Sequence, residues 1–456
     1  MLSYAKVWFI LVTVYDIIKL SFSNVDILME GKMYLKNISL QNYKGIQNLS
    51  VEFKPGLNLL IGNNGAGKTS LLNAIAVALS NTLHLIPVSS FAMIEQSDIH
   101  VTTSTMGDAT SAQRYHTPVI IDTLIGIGDN IYKSTLVKQV VSSTMKVEGN
   151  SIMHHIKTLV DENLPLPLLN YQNSGRAGST VFNAKTVFGM TLQQQRTARL
   201  SGYKNTFNKE LNIDDILLWC MQMELTALQK GKEVREYKLF KSIVSTFVQA
   251  IDNKAKNPKI YHSFEWGYLV YVDDCKETPF YNLSAGFQSI LCTAIELAYR
   301  ISVLNPELTS LKEQEGIVLI DEIEMHLHPA WQWKILDALK NTFPKVQFIV
   351  ATHSPIILSS AKDASLFLMK SVDEIISLEN AFGYKINDVL ELRQGTKDMP
   401  EEVSAYYDEA EKLLNAYDKK GLLKLQESIE TAYGKDSYVA KSINDFIEVN
   451  RWIEEA

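Results

Sequence analysis

The segment Gly62–Thr69 reads GNNGAGKT and decides how the surrounding chain folds. It follows an apolar, strand-like run, Leu57–Ile61, and leads into a predicted helix with one apolar face. A strand, a glycine-rich loop and a helix in this order form a P-loop, whose backbone N–H groups surround a phosphate. Lys68 is then expected to reach the β- and γ-phosphates, and the Thr69 hydroxyl to bind Mg²⁺. The residues predicted to bind the nucleotide are Gly62, Asn63, Asn64, Gly65, Ala66, Gly67, Lys68, Thr69 and Ser70.

A second motif, Ile317–Glu322 (IVLIDE), joins four apolar strand residues to two carboxylates. Ligands of open α/β sheets bind at the carboxyl ends of the strands, where both acids are expected. We predict that Asp321 holds Mg²⁺ and that Glu322 is the general base for the attacking water, because neighbouring strand residues point in opposite directions. His353 ends the next predicted strand, where its imidazole is expected to contact the γ-phosphate. These residues predict an ATP-hydrolysing site with ATP and Mg²⁺ as cofactors.

A third motif, Leu283–Gln288 (LSAGFQ), precedes a predicted apolar helix. Ser284 suits the helix N-cap, and Gly286 permits a close backbone approach. Because the motif stands between the P-loop and the two carboxylates, it resembles the signature motif of ABC-type ATPases. That resemblance implies that Ser284 of one chain contacts the γ-phosphate held by another, so Ser284 joins Glu322 and His353 as a catalytic residue. It also implies a homo-oligomer built from ATP-bridged dimers.

The segments Asp321–Pro329 (DEIEMHLHP) and Gln347–Pro355 (QFIVATHSP) resemble the RecF/OLD-like branch of ABC ATPases. Within that branch the chain is similar to the ATPase subunits of Septu-type antiphage systems, which also occur beside some retrons. The likeness is tight over residues 33–80 and 282–362. It implies a cytoplasmic ATPase that assembles with an HNH-type nuclease and controls it during phage infection. The Glu-x-His-x-His group within Glu324–His328 fits either a metal site or a turn that faces a second protomer.

These motifs predict an α/β fold: a P-loop NTPase of the ABC-ATPase head type, followed by a C-terminal all-α appendage. The ATPase domain is expected over 33–365, with a large insertion over about 85–280 between the P-loop and the signature motif. An acidic helical region is expected over 366–456. Net charge is −7, and the residues from Ala361 onward contain 12 Lys and Arg against 20 Asp and Glu. Subtraction from the totals of 44 and 51 leaves 32 against 31 before Ala361, so the acidity belongs to the appendage.

The appendage has apolar residues at helical spacing in three groups, which predict three short amphipathic helices. The residues are Val403, Tyr407, Ala410, Leu414 and Tyr417, then Leu422, Leu425 and Ile429, then Val439, Ile443, Phe446 and Ile453. Gly421 and Gly434 are the expected helix stops. Two interpretations stay open: an acidic docking surface for a basic protein such as the nuclease, or a bundle that caps the ATPase body.

Residues 1–32 are left out of the predicted fold. Their apolar run Val7–Tyr15 is shorter than the ~20 residues that span a membrane. Three interpretations stay open for this segment: an extension that the working protein does not need, an amphipathic helix, or a membrane anchor. No membrane association is expected of the body. Cys220, Cys275 and Cys292 show no metal-binding or disulfide spacing, which fits a reducing cytosol.

Three other functions fit parts of the pattern. The nucleotide-binding subunit of a transporter is disfavoured because Lys68 and Ser284 lie 216 residues apart, too far for a compact head. A DNA-repair ATPase is favoured by a basic stretch without acids, Arg176–Lys209, although these cations would equally suit solvent or the nucleotide. The cations of that stretch are Arg176, Lys185, Arg196, Arg199, Lys204 and Lys209. The third function is an ATP-gated scaffold with little turnover.

Overall fold

The computed structural model describes residues 32–86, 92–106, 110–149, 151–173, 199–207, 213–378, 382–385 and 399–451. The chain divides into two compact units after Gly383. Predictions for residues 1–31, and for four of the six cations of the basic stretch, concern positions outside the described residues and stay predictions.

The strands and helices are numbered here in chain order. The strands are β1 (Met33–Tyr43), β2 (Ile46–Glu52), β3 (Leu57–Ile61), β4 (Val101–Met106), β5 (Thr110–Tyr115), β6 (Val119–Ile127), β7 (Asn130–Lys138), β8 (Lys146–Glu148), β9 (Leu168–Gln172), β10 (Lys259–Ser263), β11 (Tyr268–Asp273), β12 (Lys276–Pro279), β13 (Glu315–Ile320), β14 (Lys345–Ala351), β15 (Ser365–Ser371) and β16 (Glu374–Leu378). The helices are α1 (Lys68–Thr82), α2 (Ser151–Asp161), α3 (Ile213–Lys230), α4 (Arg235–Ile251), α5 (Ala285–Leu304), α6 (Pro329–Thr342), α7 (Pro355–Ser360), α8 (Glu401–Asn415), α9 (Lys419–Tyr433) and α10 (Tyr438–Arg451).

The first unit is centred on a six-stranded sheet in the order β16-β15-β3-β14-β13-β9. The five strands from β15 to β9 run parallel, and β16 is antiparallel at the edge. Every residue of β3 and β9 is buried, and nearly every residue of β13 and β14. Such continuous apolar strands are typical of a parallel sheet whose two faces are both covered. This arrangement brings the ends of β3, β13 and β14 to the same edge.

A second, antiparallel sheet has the order β2-β1-β6-β7-β8. Strands β6 and β7 lie within the predicted insertion of about 85–280, yet β6 pairs with β1 along almost its whole length. Strand β9, from the same segment, pairs with β13 in the central sheet. The segment is therefore not one separate insertion, because it supplies strands to both sheets. Strands β6 and β9 pair with the backbone N–H and C=O groups of β1 and β13, which need hydrogen-bond partners when buried. The hairpin of β4 and β5 and the sheet β10-β11-β12 complete this unit.

The predicted end of the ATPase domain at residue 365 is too early. Strand β15 begins at Ser365 and pairs in parallel with β3, the strand before the P-loop. Strand β16 then pairs with β15, and the first unit extends to Gly383. The boundary lies later than predicted because two strands of the central sheet, β15 and β16, follow the last recognisable motif, Gln347–Pro355.

The second unit contains a three-helix bundle of α8, α9 and α10, as the apolar spacing predicted. Its buried core is formed by Ala410, Leu422, Leu425, Ile429, Ala440, Ile443 and Ile447. Two details differ: Tyr417 is exposed, and Gly421 lies inside α9 instead of ending a helix. The chain turns at Tyr417, and Asp418 caps α9 by accepting a hydrogen bond from Gly421 N at 2.9 Å. Ile453 lies outside the described residues.

Helix α5 runs through the core of the first unit. Its length and apolar composition would suit a membrane span, but 83% of that stretch is buried inside the protein. Among the described residues it is the one helix of this kind, and its burial identifies it as a core helix.

Gln347 joins the two sheets of the first unit. Its buried side chain accepts a hydrogen bond from Leu35 N at 2.7 Å and donates to Leu35 O at 3.0 Å. It also donates to Lys54 O at 2.9 Å. The contacts fall beside an irregularity in β1, where the register with β6 shifts between Leu35 and Asn37. Gln347 thus satisfies backbone groups of the antiparallel sheet from a strand of the parallel one.

We expect Gln347→Leu to lower the free energy of unfolding by about 2–4 kcal/mol, because it removes three hydrogen bonds and leaves buried backbone groups unpaired. Urea denaturation measures the change. Gln229→Leu, at an exposed position of α3, is the matched control and should change the value by less than about 0.5 kcal/mol. Equal stability of the two variants would contradict the role given to Gln347.

Candidate nucleotide-hydrolysis site

The P-loop lies between β3 and α1, and its backbone needs glycine at two positions. Gly62 has φ +145°, and a Cβ there would stand 2.4 Å from Met369 O in β15. Gly67, with φ +100°, immediately precedes α1. The buried Lys68 ammonium donates to Gly62 O at 2.8 Å and to Asn63 O at 3.0 Å. The lysine therefore lies within the loop that its phosphate-binding role requires.

Thr69 and Asp321 meet although 252 positions separate them. The Thr69 hydroxyl donates to Asp321 Oδ2 at 2.9 Å. The backbone N–H of Asp321 donates to Gln172 O at 2.8 Å, which fixes the end of β13 against the end of β9. A hydroxyl and a carboxylate are hard oxygen ligands, and Mg²⁺ is commonly held by one or two such groups together with phosphates and water. The pair fits the predicted Mg²⁺ site.

Glu322 occupies a conformation that a residue with a side chain rarely adopts. Its φ is +49°, in the left-handed region, and Met325 N donates to its carbonyl at 3.0 Å to close a turn. Strain of this kind costs on the order of 1–3 kcal/mol and is concentrated at functional sites. The chain thus turns sharply at Glu322 instead of continuing the strand. Both carboxylates nevertheless act on the charge of Lys68, which places them in one site.

Lys68 and three carboxylates form one electrostatic group. Burial lowers the pKa of Lys68, and the negative charges of Asp321, Glu324 and Glu322 act in the opposite direction. Burial is also the first cause that lowers the pKa of His353, followed by the nearby Lys68 charge. The lowered pKa favours the neutral imidazole of His353, which suits a hydrogen bond to phosphate. The structure brings together the predicted residues Lys68, Asp321, Glu322 and His353.

Glu324 is a part of this site whose role the sequence did not reveal. Its carboxylate accepts hydrogen bonds from Thr352 Oγ1 at 2.7 Å and from the backbone N–H of His353 at 2.6 Å. Both oxygens are thus engaged in holding the end of β14. Glu324 consequently suits a positioning role, and Glu322 remains the better candidate for polarising water. In the sequence, Glu324 is visible only as a third acid in the segment Asp321–Pro329, two residues after Glu322.

The signature motif lies at the exposed start of α5. Ser284 is the N-cap, and its hydroxyl accepts from Phe287 N at 3.4 Å. A Cβ on Gly286 would stand 2.5 Å from His326 O, so glycine is required where α5 approaches the turn after Glu322. Ser289 Oγ also donates to Met325 O at 3.3 Å. The predicted signature motif and the turn that begins at Glu322 are therefore in direct contact within one chain.

Two of the cations predicted to suit DNA lie among the described residues. The Arg199 guanidinium donates to Asn163 Oδ1 at 2.8 Å and to the carbonyl groups of Leu304 and Leu164. Lys204 pairs with Asp215 at 3.2 Å. The contacts of Arg199 favour a structural role, whereas the pair of Lys204 with Asp215 lies at the surface. Arg176, Lys185, Arg196 and Lys209 lie outside the described residues.

The three side chains of the Glu-x-His-x-His group have separate surroundings, so they do not converge on one point. His328 caps α6, where its Nδ1 accepts from Ala330 N at 3.2 Å. Glu324 points to Thr352 and His353, and His326 is exposed. Within the described part of the chain, no group of three His, Cys, Asp or Glu residues could hold a metal ion. The geometry therefore favours the turn over the metal site.

Fold and site together define a P-loop ATPase with an ABC-type head. The family model described as RecF/RecN/SMC N terminal domain matches residues 34–375, and the chain belongs to that family. This membership confirms the predicted fold class, the RecF-like resemblance and the identification of the chain as an ATPase.

Two curated relatives match most of the chain. It is 24% identical over 442 residues to the Retron Vc95 probable ATPase of Vibrio cholerae serotype O1 biovar El Tor, covering 85% of each. It is 26% identical over 420 residues to Septu protein PtuA of Bacillus thuringiensis, covering 88% of this chain and 93% of the relative. A solved SMC head, bound to the C-winged helix domain of ScpA, matches 76% of this chain and 98% of its own at 15% identity, with a TM-score of 0.47.

Glu322→Gln and Glu324→Gln each remove one negative charge, yet their effects should differ. Glu322→Gln should bind ATP and hydrolyse it on the order of 10³-fold more slowly, since the water loses its base. Glu324→Gln should lose less than about tenfold, because an amide can still accept from His353 N and donate to Thr352 Oγ1. Steady-state hydrolysis and equilibrium binding of a fluorescent ATP analogue measure both. A larger loss for Glu324→Gln would reverse the assignment of the base.

Proposed function

We propose that this ATPase hydrolyses ATP at sites shared between two copies of the chain. The observation that carries this proposal is the exposure of Ser284 at the N-terminus of α5, a 20-residue helix. Helix N-termini with free N–H groups attract anions, and a serine hydroxyl there adds a further donor for phosphate. ATP held by the P-loop of one chain would thus be enclosed by the signature motif of the other.

Each residue then has a separate task in hydrolysis. Backbone N–H groups of Gly62–Thr69 and the Lys68 ammonium hold the β- and γ-phosphates. Thr69 and Asp321 would hold Mg²⁺, which supplies charge neutralisation on the phosphates when bound. Glu322 takes a proton from the attacking water, and neutral His353 donates to the γ-phosphate. Ser284 of the second copy stabilises the same phosphate and orients it.

The proposed biological role is control of a partner nuclease in antiphage defence. Two considerations support it: the relatives named as a retron ATPase and a Septu protein, and the resemblance to Septu-type ATPases, which implies an HNH-type nuclease. Three free cysteines, two of them buried, suit the reducing cytoplasm in which this role would take place.

Helix α8 is the proposed docking surface for that nuclease. It carries five acids and a single lysine, and all five acids are exposed: Glu401, Glu402, Asp408, Glu409 and Glu411. Helices α9 and α10 each hold nearly balanced charge, so the acidity of the bundle is concentrated on α8. A basic protein surface is the complementary partner, and nucleic acid is disfavoured.

Mixing two inactive variants tests the shared site. Lys68→Ala should fail to bind ATP, and Ser284→Arg should block the phosphate of the opposite chain. Each pure variant should be inactive, whereas a mixture should recover up to one working site per mixed dimer. That site combines Lys68 of the Ser284→Arg chain with Ser284 of the Lys68→Ala chain. ATP hydrolysis is measured as the mixing ratio is varied.

The control mixes two variants: a double variant with Lys68→Ala and Ser284→Arg on one chain, and the Lys68→Ala single variant. This mixture contains an intact Ser284, on the single variant, but no intact P-loop, so it should not hydrolyse ATP. If mixed dimers form and the first mixture shows no hydrolysis, the shared site is wrong.

Removal of everything after Asp398 tests the docking surface. The shortened chain should still hydrolyse ATP, since the proposed catalytic residues all precede it, but should no longer co-purify with the nuclease. A finer variant, Glu401→Lys with Asp408→Lys and Glu409→Lys, should weaken binding, whereas Asp445→Lys with Glu448→Lys on α10 should not. Unfolding of the shortened chain would favour the capping role. Undiminished nuclease binding would exclude α8 as the docking surface.

A further inference from the structure

The loop that presents Ser284 is held by a side chain from the first turn of α5. Gln288 Nε2 lies 3.2 Å from Phe280 O, 3.3 Å from Tyr281 O and 2.9 Å from Leu283 O. A side-chain amide has two N–H donors, so three carbonyls share them. The backbone N–H of Gln288 also donates to Ser284 O at 2.9 Å, which continues the helix from its cap. One residue therefore connects the loop to the helix twice.

Two aromatic residues also hold this loop. Phe280 is buried and anchors its start, where Leu283 N donates to Phe280 O at 3.2 Å. Tyr281 is exposed, but its ring lies edge-on to that of Tyr268, with 5.7 Å between the ring centroids. Asn282 and Ser284 are exposed. Among the backbone groups between the anchor and the helix, the Gln288 amide holds the carbonyls of Phe280, Tyr281 and Leu283. The requirement is for a donor, because all three neighbours are acceptors.

We propose that Gln288 is a positioning residue that fixes the signature loop, so that Ser284 and the N-terminus of α5 face the phosphate held by a second copy. The inference rests on the proposed shared site and adds to it a residue that does not itself touch the nucleotide. A carboxylate at this position would face three carbonyl oxygens and repel them. The loop would then shift although the fold and the P-loop of the same chain stay intact.

Gln288→Glu tests this inference, because it keeps the size of the side chain and removes its donors. Hydrolysis should fall on the order of 10²-fold, the loss that a displacement of about 1 Å can cause. Binding of a fluorescent ATP analogue to the isolated chain should be unchanged, since its own P-loop is untouched; this also shows that the variant is folded. Gln229→Glu, which adds the same charge at an exposed position of α3, should hydrolyse ATP normally.

Mixed chains assign the defect to one half of the site. Gln288→Glu mixed with Lys68→Ala should be as active as Ser284→Arg mixed with Lys68→Ala, because both mixtures contain one site with an intact P-loop and an intact signature loop. Gln288→Glu mixed with Ser284→Arg should stay inactive, since each site then has a damaged signature loop. A variant that merely destabilised the chain would fail in both mixtures.

The outcomes separate this inference from the shared site itself. If Ser284→Arg with Lys68→Ala is inactive although mixed dimers form, the shared site is wrong. If that mixture is active, three results would each overturn the role of Gln288: normal hydrolysis by Gln288→Glu alone, no activity with Lys68→Ala, or activity with Ser284→Arg. The expected pattern, active with Lys68→Ala and inactive with Ser284→Arg, supports it.

Discussion

The parallel register of β3, β14, β13 and β9 is the constraint on which the rest of the site depends. Leu60 pairs with Ala351, and Ile320 pairs with both Val350 and Gln172, so all four strands end at nearly the same level. Parallel strands deliver whatever follows them to one edge of the sheet. The P-loop, the two acids and His353 each follow one of these strands. Their assembly needs no contact between the motifs themselves.

At that edge, hydrogen bonds fix the positions of the motifs relative to one another. The Thr69–Asp321 contact links the start of α1 to the end of β13, and Glu324 links the following turn to the end of β14. Gly286 then brings α5 within reach of the same turn, at the carbonyl of His326. A displacement of α5 would therefore act on the turn that begins at Glu322. The signature motif and the proposed general base, Glu322, of one chain are therefore in contact through this turn, although they are proposed to serve different nucleotides.

The remaining elements serve support and, as proposed, recognition. The antiparallel sheet supports the central one through Gln347, which binds the backbone N–H and carbonyl of Leu35 beside the β1 irregularity and the carbonyl of Lys54 after β2. The three-helix bundle has a core of its own and a strongly acidic first helix. Its charge pattern is the basis of the proposed docking surface.

The sequence alone determined the P-loop, the strand that ends in Asp321 and Glu322, the signature motif and the spacing of the bundle core. Each of these is a local pattern, in which neighbouring residues already specify the backbone and the chemistry. Only the tertiary structure decided which strands of the 85–280 segment join which sheet, where the first unit ends, and what Glu324 and Gln288 contact. Those outcomes depend on hydrogen bonds between residues far apart in the chain, or on carbonyl groups whose direction the loop sets. The spacing of residues in the sequence specifies neither these hydrogen bonds nor the direction of these carbonyl groups.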